Sequence, residues 1–205
     1  MASKAVRAVV CALSTLATTA YLDETRAQAP RPPPADSVRV ARWLVARASW
    51  AVVATSSPAR GGHAWGNVVS YADNCTGVPL FFLSKLDETA RDLAADPLAT
   101  VTIAEAELPE QCNGADPEDP RCAKVSLHGK IVPAADQQAA REVLFRKHPP
   151  MRDWPRNHGF GAYVMQPITD VFALSDYGGA KPISVEQFLA ASAGPDGRAC
   201  AARAH

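Results

Sequence analysis

The chain has 205 residues, of which 47% are hydrophobic and 20% are charged, and this length and composition suit one globular domain. Lysine and arginine total 21, as do aspartate and glutamate, so the formal net charge is zero, and a neutral chain without a long basic run is unsuited to holding nucleic acid. No apolar stretch long enough to cross a bilayer follows residue 22, which excludes an internal membrane span.

The N-terminal segment has the layout of a secretory signal peptide. Lys4 and Arg7 precede a mostly apolar stretch over residues 8–22, and small residues up to Ala29 offer cleavage sites. An organellar transit peptide is the alternative, but such peptides are rich in arginine and this segment is not. The predicted boundaries are a signal peptide over 1–29, a proline-rich extended linker over 30–35, a folded domain over 36–190 and a disordered tail over 191–205.

Hydrophobic periodicity predicts short strands with a few helices. The helices show apolar residues at three-to-four spacing, and the strands show period-two alternation or short apolar runs. In chain order the predicted elements are a helix over 37–48, strands over 50–55, 64–71 and 79–84, a helix over 88–95, strands over 99–104 and 123–132, a helix over 134–147, strands over 160–165 and 168–174, and a helix from 184. Because the helices do not alternate strictly with the strands, the pattern indicates a mainly β fold, a small barrel with flanking helices.

Four cysteines follow the N-terminal segment. Cys112 and Cys122 flank a polar, proline-rich loop, and a disulfide there would stabilise the fold by about 3 kcal/mol in the chain-entropy model. Metal ligation is the alternative, but neither Cys75 nor Cys200 has a partner at ligand spacing. The sequence therefore predicts the disulfide Cys112–Cys122 and leaves the state of Cys75 and Cys200 open.

A glycosylation sequon precedes the third predicted strand. It consists of Asn74, Cys75 and Thr76 and lies in a turn-rich stretch. Passage through the secretory pathway would make Asn74 an acceptor for an N-linked glycan. We therefore expect a glycoprotein.

Other motifs carry little chemistry. His148 and His158 lie ten residues apart across a loop with prolines, and no third ligand or carboxylate completes a metal or acid–base site, so hydrogen bonds that order the loop are the favoured role. The carboxylates within 116–119 resemble a calcium cluster, but prolines break the ligand pattern. The glycines within 61–66 match neither a dinucleotide fingerprint nor a P-loop and favour a hairpin turn.

A specific pattern follows the helix predicted over 134–147. A His-Pro-x-Met sequence ends the helix, and Trp-Pro and a further histidine precede an aromatic residue. The residues that carry it are His148, Met151, Trp154, Pro155 and His158. With them, residues 36–190 resemble the CREG family, the secreted cellular-repressor glycoproteins. The resemblance implies a split β-barrel of the FMN-binding, pyridoxamine-phosphate-oxidase-like type, forming a homodimer in a secreted or endolysosomal glycoprotein.

The resemblance also locates a candidate flavin site. Flavin-binding members of that superfamily hold the phosphate where a strand runs into the next helix, where helix N–H groups and cations converge. The residues of suitable type in this chain are Ser84, Lys85, Thr89 and Arg91. However, Asp87 and Glu88 stand at the positions where the resemblance to flavin enzymes implies a serine and an arginine, and Thr89 stands where it implies a lysine. Two carboxylates at the start of a helix favour the helix dipole and repel a phosphate.

Two hypotheses follow from the residues and the resemblance. The first is a non-catalytic protein without a cofactor or metal, which acts by binding an unidentified protein partner or receptor. The second is an FMN-dependent oxidoreductase on the same fold, with the phosphate at Ser84, Lys85, Thr89 and Arg91. The departures at Asp87 and Glu88 favour the first.

Overall fold

The computed structural model describes residues 30–193. The predicted signal peptide and the last twelve residues of the predicted tail therefore lie outside the described residues. The helices and strands are α1 (Ser37–Arg47), β1 (Trp50–Ser57), β2 (His63–Ala72), β3 (Leu80–Leu83), α2 (Glu88–Ala95), β4 (Leu98–Ala104), β5 (Lys124–Pro133), α3 (Gln137–Lys147), β6 (Gly161–Leu174), β7 (Lys181–Ile183) and α4 (Val185–Ala190). Short 3-10 turns occur at Pro58–Arg60, Glu105–Glu107, Gln111–Gly114, Pro149–Asp153 and Arg156–His158.

The strands form one antiparallel barrel. Their order is β3-β2-β1-β4-β5-β6-β7, and β3 also pairs with β6, which closes the first six strands into a ring. Closure leaves few free strand edges, since β7 adds only a short strand beside Val171–Ala173 of β6. The predicted mainly β barrel with flanking helices is confirmed.

The sixth strand differs from its prediction. Residues 161–174 form one continuous strand, whereas Pro167 was expected to separate two. The proline, which follows a cis peptide bond, lies where the β5–β6 register shifts beside Gly129, so its lack of an N–H coincides with an irregularity of the ladder. Gly129 is required there because a Cβ on it would overlap the carbonyl oxygen of Pro167.

Local capping fixes where the helices begin. Asp36, Asp87 and Asp136 each accept a hydrogen bond from a backbone N–H in the first turn of α1, α2 and α3. The cap at Asp136 starts α3 at Gln137, three residues later than predicted. Among residues 30–193, no helix has the length and apolarity needed to cross a membrane.

Two helices pack on different parts of the barrel. Helix α1 packs against β4, β5, β6 and α4, and the hydroxyl of Tyr71 donates to the carbonyl of Val45, 2.6 Å away. Helix α3 covers the outer surface of β2, β3 and β6, where Leu144 joins a cluster with Phe82 and Ala162. Helix α3 therefore buries one apolar face against the sheet, whereas α1 is buried on all sides over residues 40–46.

One outer surface of the barrel keeps its apolar side chains exposed. We call it the bare face, and its exposed apolar residues are Trp50, Val52, Val68, Leu98 and Phe172. Val52 and Val68 are direct neighbours across β1 and β2, and Val68 is 63% exposed. Among the described residues, no helix covers this surface.

The N-terminal segment over residues 31–35 lies against the barrel. The guanidinium of Arg31 pairs with the buried carboxylate of Glu105 at 2.9 Å, and Ser175 Oγ donates to the carbonyl of Pro34 at 2.8 Å. Glu105 also accepts from the backbone N–H of Ala123. These bonds tie residues before α1 to Glu105 and, through Glu105, to Ala123, which directly follows the loop between Cys112 and Cys122 (the cysteine loop).

The structure contains the predicted Cys112–Cys122 disulfide, which closes that loop. Cys75 is also disulfide-bonded, and Cys200 lies outside the described residues.

Candidate functional site

The predicted phosphate corner lies where β3 ends and α2 begins. Ser84 comes directly after β3, and its hydroxyl donates to the carbonyl of His158 at 2.8 Å and accepts from the N–H of Leu86 at 3.0 Å. The Ser84 hydroxyl therefore shapes the local turn and joins it to the loop that follows α3.

The N-terminus of α2 already holds a carboxylate. Asp87 caps the helix by accepting from the N–H of Thr89 at 2.8 Å, and the side-chain amide of Asn67 donates to Asp87 at 3.2 Å. The same amide donates to the hydroxyl of Thr89, which is fully buried. The N–H groups that could attract an anion thus have a negatively charged partner from the chain itself.

The second carboxylate of the corner pairs with two arginines. Glu88 pairs with Arg60 at 2.8 Å and with Arg91 at 3.2 Å. Arg91 also donates to the carbonyl of Leu86, and the Arg60 guanidinium lies 4.4 Å from the centre of the Trp65 ring. These side chains line an open groove of about 510 Å³, in which the cations face a carboxylate of the chain.

Lys85 is the exception at this corner. Its aliphatic stem lies against Gly159, where an added Cβ would be 3.1 Å from Lys85 Cδ. The side chain is exposed and makes no ion pair with any described residue. Of the four residues that the sequence assigned to a phosphate, Lys85 is the one cation without a carboxylate partner among the described residues.

These residues do not fit a flavin phosphate. A phosphate at the start of α2 would have to displace Asp87 from the helix N–H groups and compete with Glu88 for both arginines. The hydroxyls of Ser84 and Thr89 already have partners. Burying a phosphate beside two carboxylates is costly because like charges repel in a poorly hydrated site.

The two histidines of the loop after α3 act separately. His148 Nε2 donates to the carbonyl of Tyr71 at 2.8 Å, which ties the end of α3 to β2. Burial lowers the pKa of His148, the charge of Lys147 acts in the same direction, and the bond to Tyr71 opposes them. His158 instead accepts from Ser84 through its backbone carbonyl, so the two imidazoles do not form one site. No cluster of metal-ligating side chains occurs among residues 30–193.

The aromatic residues of this loop form a packed cluster with β3. The ring of Phe82 stacks on Phe160 at 5.0 Å and on Trp154 at 6.0 Å between centroids, and Phe145 meets Phe82 edge-on at 5.2 Å. Met151, which belongs to the same loop, is buried. Trp154 of the motif is thus part of an aromatic cluster that packs on β3, next to the predicted phosphate corner.

Pro155 begins the last turn of the loop, where its carbonyl accepts from the N–H of His158. This turn brings His158 and Gly159 against Ser84 and Lys85.

A histidine that the sequence did not single out lies on the bare face. His128 lines a shallow groove of about 350 Å³ between β1, β4 and β5. Its Nδ1 is 3.0 Å from the hydroxyl of Thr100, and its ring meets Phe172 edge-on at 5.6 Å between centroids. The Nε2 atom has no hydrogen-bond partner among the described residues. The period-two alternation of β5 signals an outward side chain here, but the pairing with Thr100 requires the sheet register.

The sequon lies in an exposed turn after β2. Asn74 is exposed with a backbone φ of 44°, and the Thr76 hydroxyl donates to the carbonyl of Asp73 and accepts from the N–H of Val78. The threonine hydroxyl is thus part of the turn.

The fold and sequence match known proteins. The family model described as CREG, beta-barrel matches residues 32–190. The protein CREG1 of Gallus gallus is 31% identical over 168 residues, which is 77% of this chain and 87% of the relative.

Solved structures agree with the fold. A heme binding protein from Mycobacterium smegmatis superposes with a TM-score of 0.63 and 25% identity over 80% of this chain and 63% of its own, so this chain spans less than two thirds of that protein. A Clostridium acetobutylicum protein of the pyridoxinephosphate oxidase family, related to general stress protein 26, has a TM-score of 0.53 and 12% identity over 74% of this chain and 96% of its own.

Proposed function

Since this chain belongs to the CREG β-barrel family, we propose that it is a secreted or endolysosomal glycoprotein that forms a homodimer and acts by binding another protein rather than by catalysis. The observation that carries the non-catalytic part is the internal neutralisation of the phosphate corner. The carboxylate of Asp87 accepts a hydrogen bond at the N-terminus of α2, and the carboxylate of Glu88 forms ion pairs with Arg60 and Arg91.

The first experiment is a visible absorbance spectrum of the mature protein, followed by a calorimetric titration with FMN. The proposal expects a colourless protein and no saturable heat of binding. A yellow protein, or stoichiometric FMN binding, would instead support the alternative, an FMN-dependent oxidoreductase. A buffer blank and a flavin-binding split-barrel protein of known stoichiometry serve as controls.

The homodimer is proposed on the bare face. Exposed Val52, Val68 and Leu98 make an apolar surface of the kind that soluble proteins cover with a partner, and a second copy supplies a self-complementary apolar surface. Sedimentation should give a dimer for the mature protein and a monomer for Val68→Asp. Leu189→Asp, at an exposed apolar residue of α4, is the matched control and should remain dimeric. A monomeric wild type, or a dimer that survives Val68→Asp, contradicts this arrangement.

Secretion and glycosylation are proposed together. The N-terminal segment supports entry into the secretory pathway, and exposed Asn74 supports the glycan. Expression in eukaryotic cells should release a protein that loses mass on enzymatic deglycosylation. Asn74→Gln should migrate as the deglycosylated wild type does. Retention of the wild type in the cytosol, or an unchanged mass, contradicts the proposal.

A second candidate function is tetrapyrrole binding at the bare face. It is favoured by His128, whose Nδ1 is held by Thr100 while Nε2 has no hydrogen-bond partner among the described residues, and by the similarity to a mycobacterial heme binding protein. An imidazole whose Nδ1 donates to the threonine hydroxyl keeps the Nε2 lone pair available as an axial ligand for heme iron. Titration with hemin should then give a Soret shift that His128→Ala abolishes and His63→Ala leaves unchanged. Equal spectra for all three proteins contradict this candidate.

A further inference from the structure

Two chain segments meet at the end of β3 and expose apolar side chains there. The Ser84 hydroxyl donates to the His158 carbonyl, and the Lys85 stem lies against Gly159, so the turn over residues 84–86 lies against the end of the loop that contains Trp154. On it, Leu86 is 64% exposed and Trp154 is 38% exposed. Arg152 and Arg156 are exposed residues that flank Trp154 in this loop, and we call the residues Lys85, Leu86, Arg152, Trp154 and Arg156 the Trp154 patch.

One face of the Trp154 indole packs against two phenylalanine rings. The indole lies 5.0 Å from the ring of Phe160 and 6.0 Å from that of Phe82, and Phe82 is nearly buried. A side chain fixed in this way loses little conformational entropy when a partner covers its free face. Exposed tryptophan with arginine beside it is the composition that dominates protein–protein binding energies.

The cations of the patch differ from most other arginines of the described chain in having no carboxylate partner. Elsewhere in the described chain, seven arginines pair with carboxylates: Arg31, Arg39, Arg42, Arg47, Arg60, Arg91 and Arg121. Lys85, Arg152 and Arg156 are exposed, and none has a carboxylate within 4.0 Å among residues 30–193. The Arg152 guanidinium instead lies 5.6 Å from the centre of the Phe145 ring.

The neighbouring carboxylates do not cancel these cations. Asp87 is bound by Asn67 and Thr89, and Glu88 is bound by Arg60 and Arg91. Within residues 149–160, Asp153 is the single acidic residue. In a chain whose formal net charge is zero, the patch is therefore a local excess of positive charge.

We propose that the Trp154 patch docks an acidic segment of a partner protein. Carboxylates of the segment would face Lys85, Arg152 and Arg156, and an apolar side chain between them would cover Trp154 and Leu86. Charge complementarity favours an acidic ligand, and the apolar anchors favour a peptide over a simple anion. This inference rests on the proposed protein-binding function and names the surface and the chemistry of the partner.

The test is a selection of random short peptides displayed on phage against the full mature protein. The recovered peptides should be rich in aspartate and glutamate around an apolar residue. The strongest of them, synthesised with a fluorescent label, should bind about tenfold more weakly to the double variant Arg152→Glu/Arg156→Glu. The control Lys130→Glu/Lys181→Glu carries the same change of charge at two exposed sites outside the patch that form no ion pair among residues 30–193, and it should change affinity less than about twofold.

A third variant separates packing from charge. Leu86→Ser removes an exposed side chain without touching the aromatic cluster, and it should weaken binding while thermal unfolding stays as in the wild type. Recovered peptides without acidic bias, no recovered peptide, or equal losses in both double variants would each overturn the proposal. Preferential binding of phosphatidylserine vesicles over every recovered peptide would also overturn it, in favour of a membrane ligand.

The outcome is distinguishable from failure of the proposed function. FMN uptake by the mature protein overturns the non-catalytic reading whatever the patch binds. A colourless protein that ignores FMN and yields no acidic peptide overturns only the assignment of the patch.

Discussion

Replacing Glu88 by glutamine removes the carboxylate that pairs with both Arg60 and Arg91. The carboxylate is 2.8 Å from Arg60 and 3.2 Å from Arg91, whose side chains are 44% and 61% exposed. Because such exposed pairs contribute about 0.2–1 kcal/mol each, and a carboxylate in the first turn of a helix adds a similar amount, we expect Glu88→Gln to lower the free energy of unfolding by about 1 kcal/mol. That loss corresponds to a fall in melting temperature of about 2–4 °C.

The same substitution should create an anion site. With Glu88 neutral, the guanidinium groups of Arg60 and Arg91 are left facing one another across the groove. Inorganic pyrophosphate should then protect Glu88→Gln against thermal unfolding far more than it protects the wild type, because a ligand that binds only the folded state raises its stability.

The assay is calorimetric unfolding with and without pyrophosphate. Glu186→Gln is the matched control, since Glu186 is an exposed carboxylate in the first turn of α4 and makes no ion pair among the described residues. Unchanged stability of Glu88→Gln, together with no gain in protection by pyrophosphate, would refute the idea that this carboxylate neutralises the corner.

Three further predictions follow from the barrel and its loops. Burial holds the pKa of His148 below its usual 6.5, so the unfolded chain takes up the proton first as the pH falls. The contribution of the uncharged His148 to stability is therefore complete above pH 6.5 and is lost below it. Chemical denaturation between pH 7 and 5 should show a smaller loss of unfolding free energy for His148→Gln than for the wild type. Gly129→Ala should destabilise the barrel by about 1–3 kcal/mol in urea unfolding, because its Cβ overlaps the carbonyl of Pro167, and a wild-type midpoint would contradict the close approach. Replacing Cys112 and Cys122 together by serine should cost about 3 kcal/mol in the same assay, and an unchanged midpoint would contradict a stabilising role for this disulfide.

Local chemistry explains which elements the sequence predicts well. Asp36 and Asp87 cap helices that begin at the predicted residues, because capping involves only the next three residues. Strand β7 was not predicted, since its three residues become a strand only by pairing with Val171–Ala173. The continuity of β6 across Pro167 likewise depends on the shifted register opposite Gly129.

The candidate site divides in the same way. Its residue types can be read from the chain, and the capping role of Asp87 is local. The pairing of Glu88 with Arg60 joins residues 28 positions apart and requires α2 to lie beside the turn after β1. The setting of His128 depends on Thr100 of the neighbouring strand. Such contacts between distant segments are decided by the fold and are invisible to periodicity.

Because the guanidinium of Arg31 pairs with the buried carboxylate of Glu105, we expect the stability of the folded domain to depend on where its N-terminus is trimmed. An aminopeptidase that stops before Arg31 leaves the buried carboxylate with its cation, whereas one more residue removed leaves that carboxylate with backbone partners alone. A buried charge without its counterion strongly destabilises the segments around it, here the base of the cysteine loop. Proteolytic removal of Arg31 would therefore destabilise the barrel around Glu105, which lies 74 residues further along the chain. A recombinant protein that begins at residue 36 would lack this ion pair from the start.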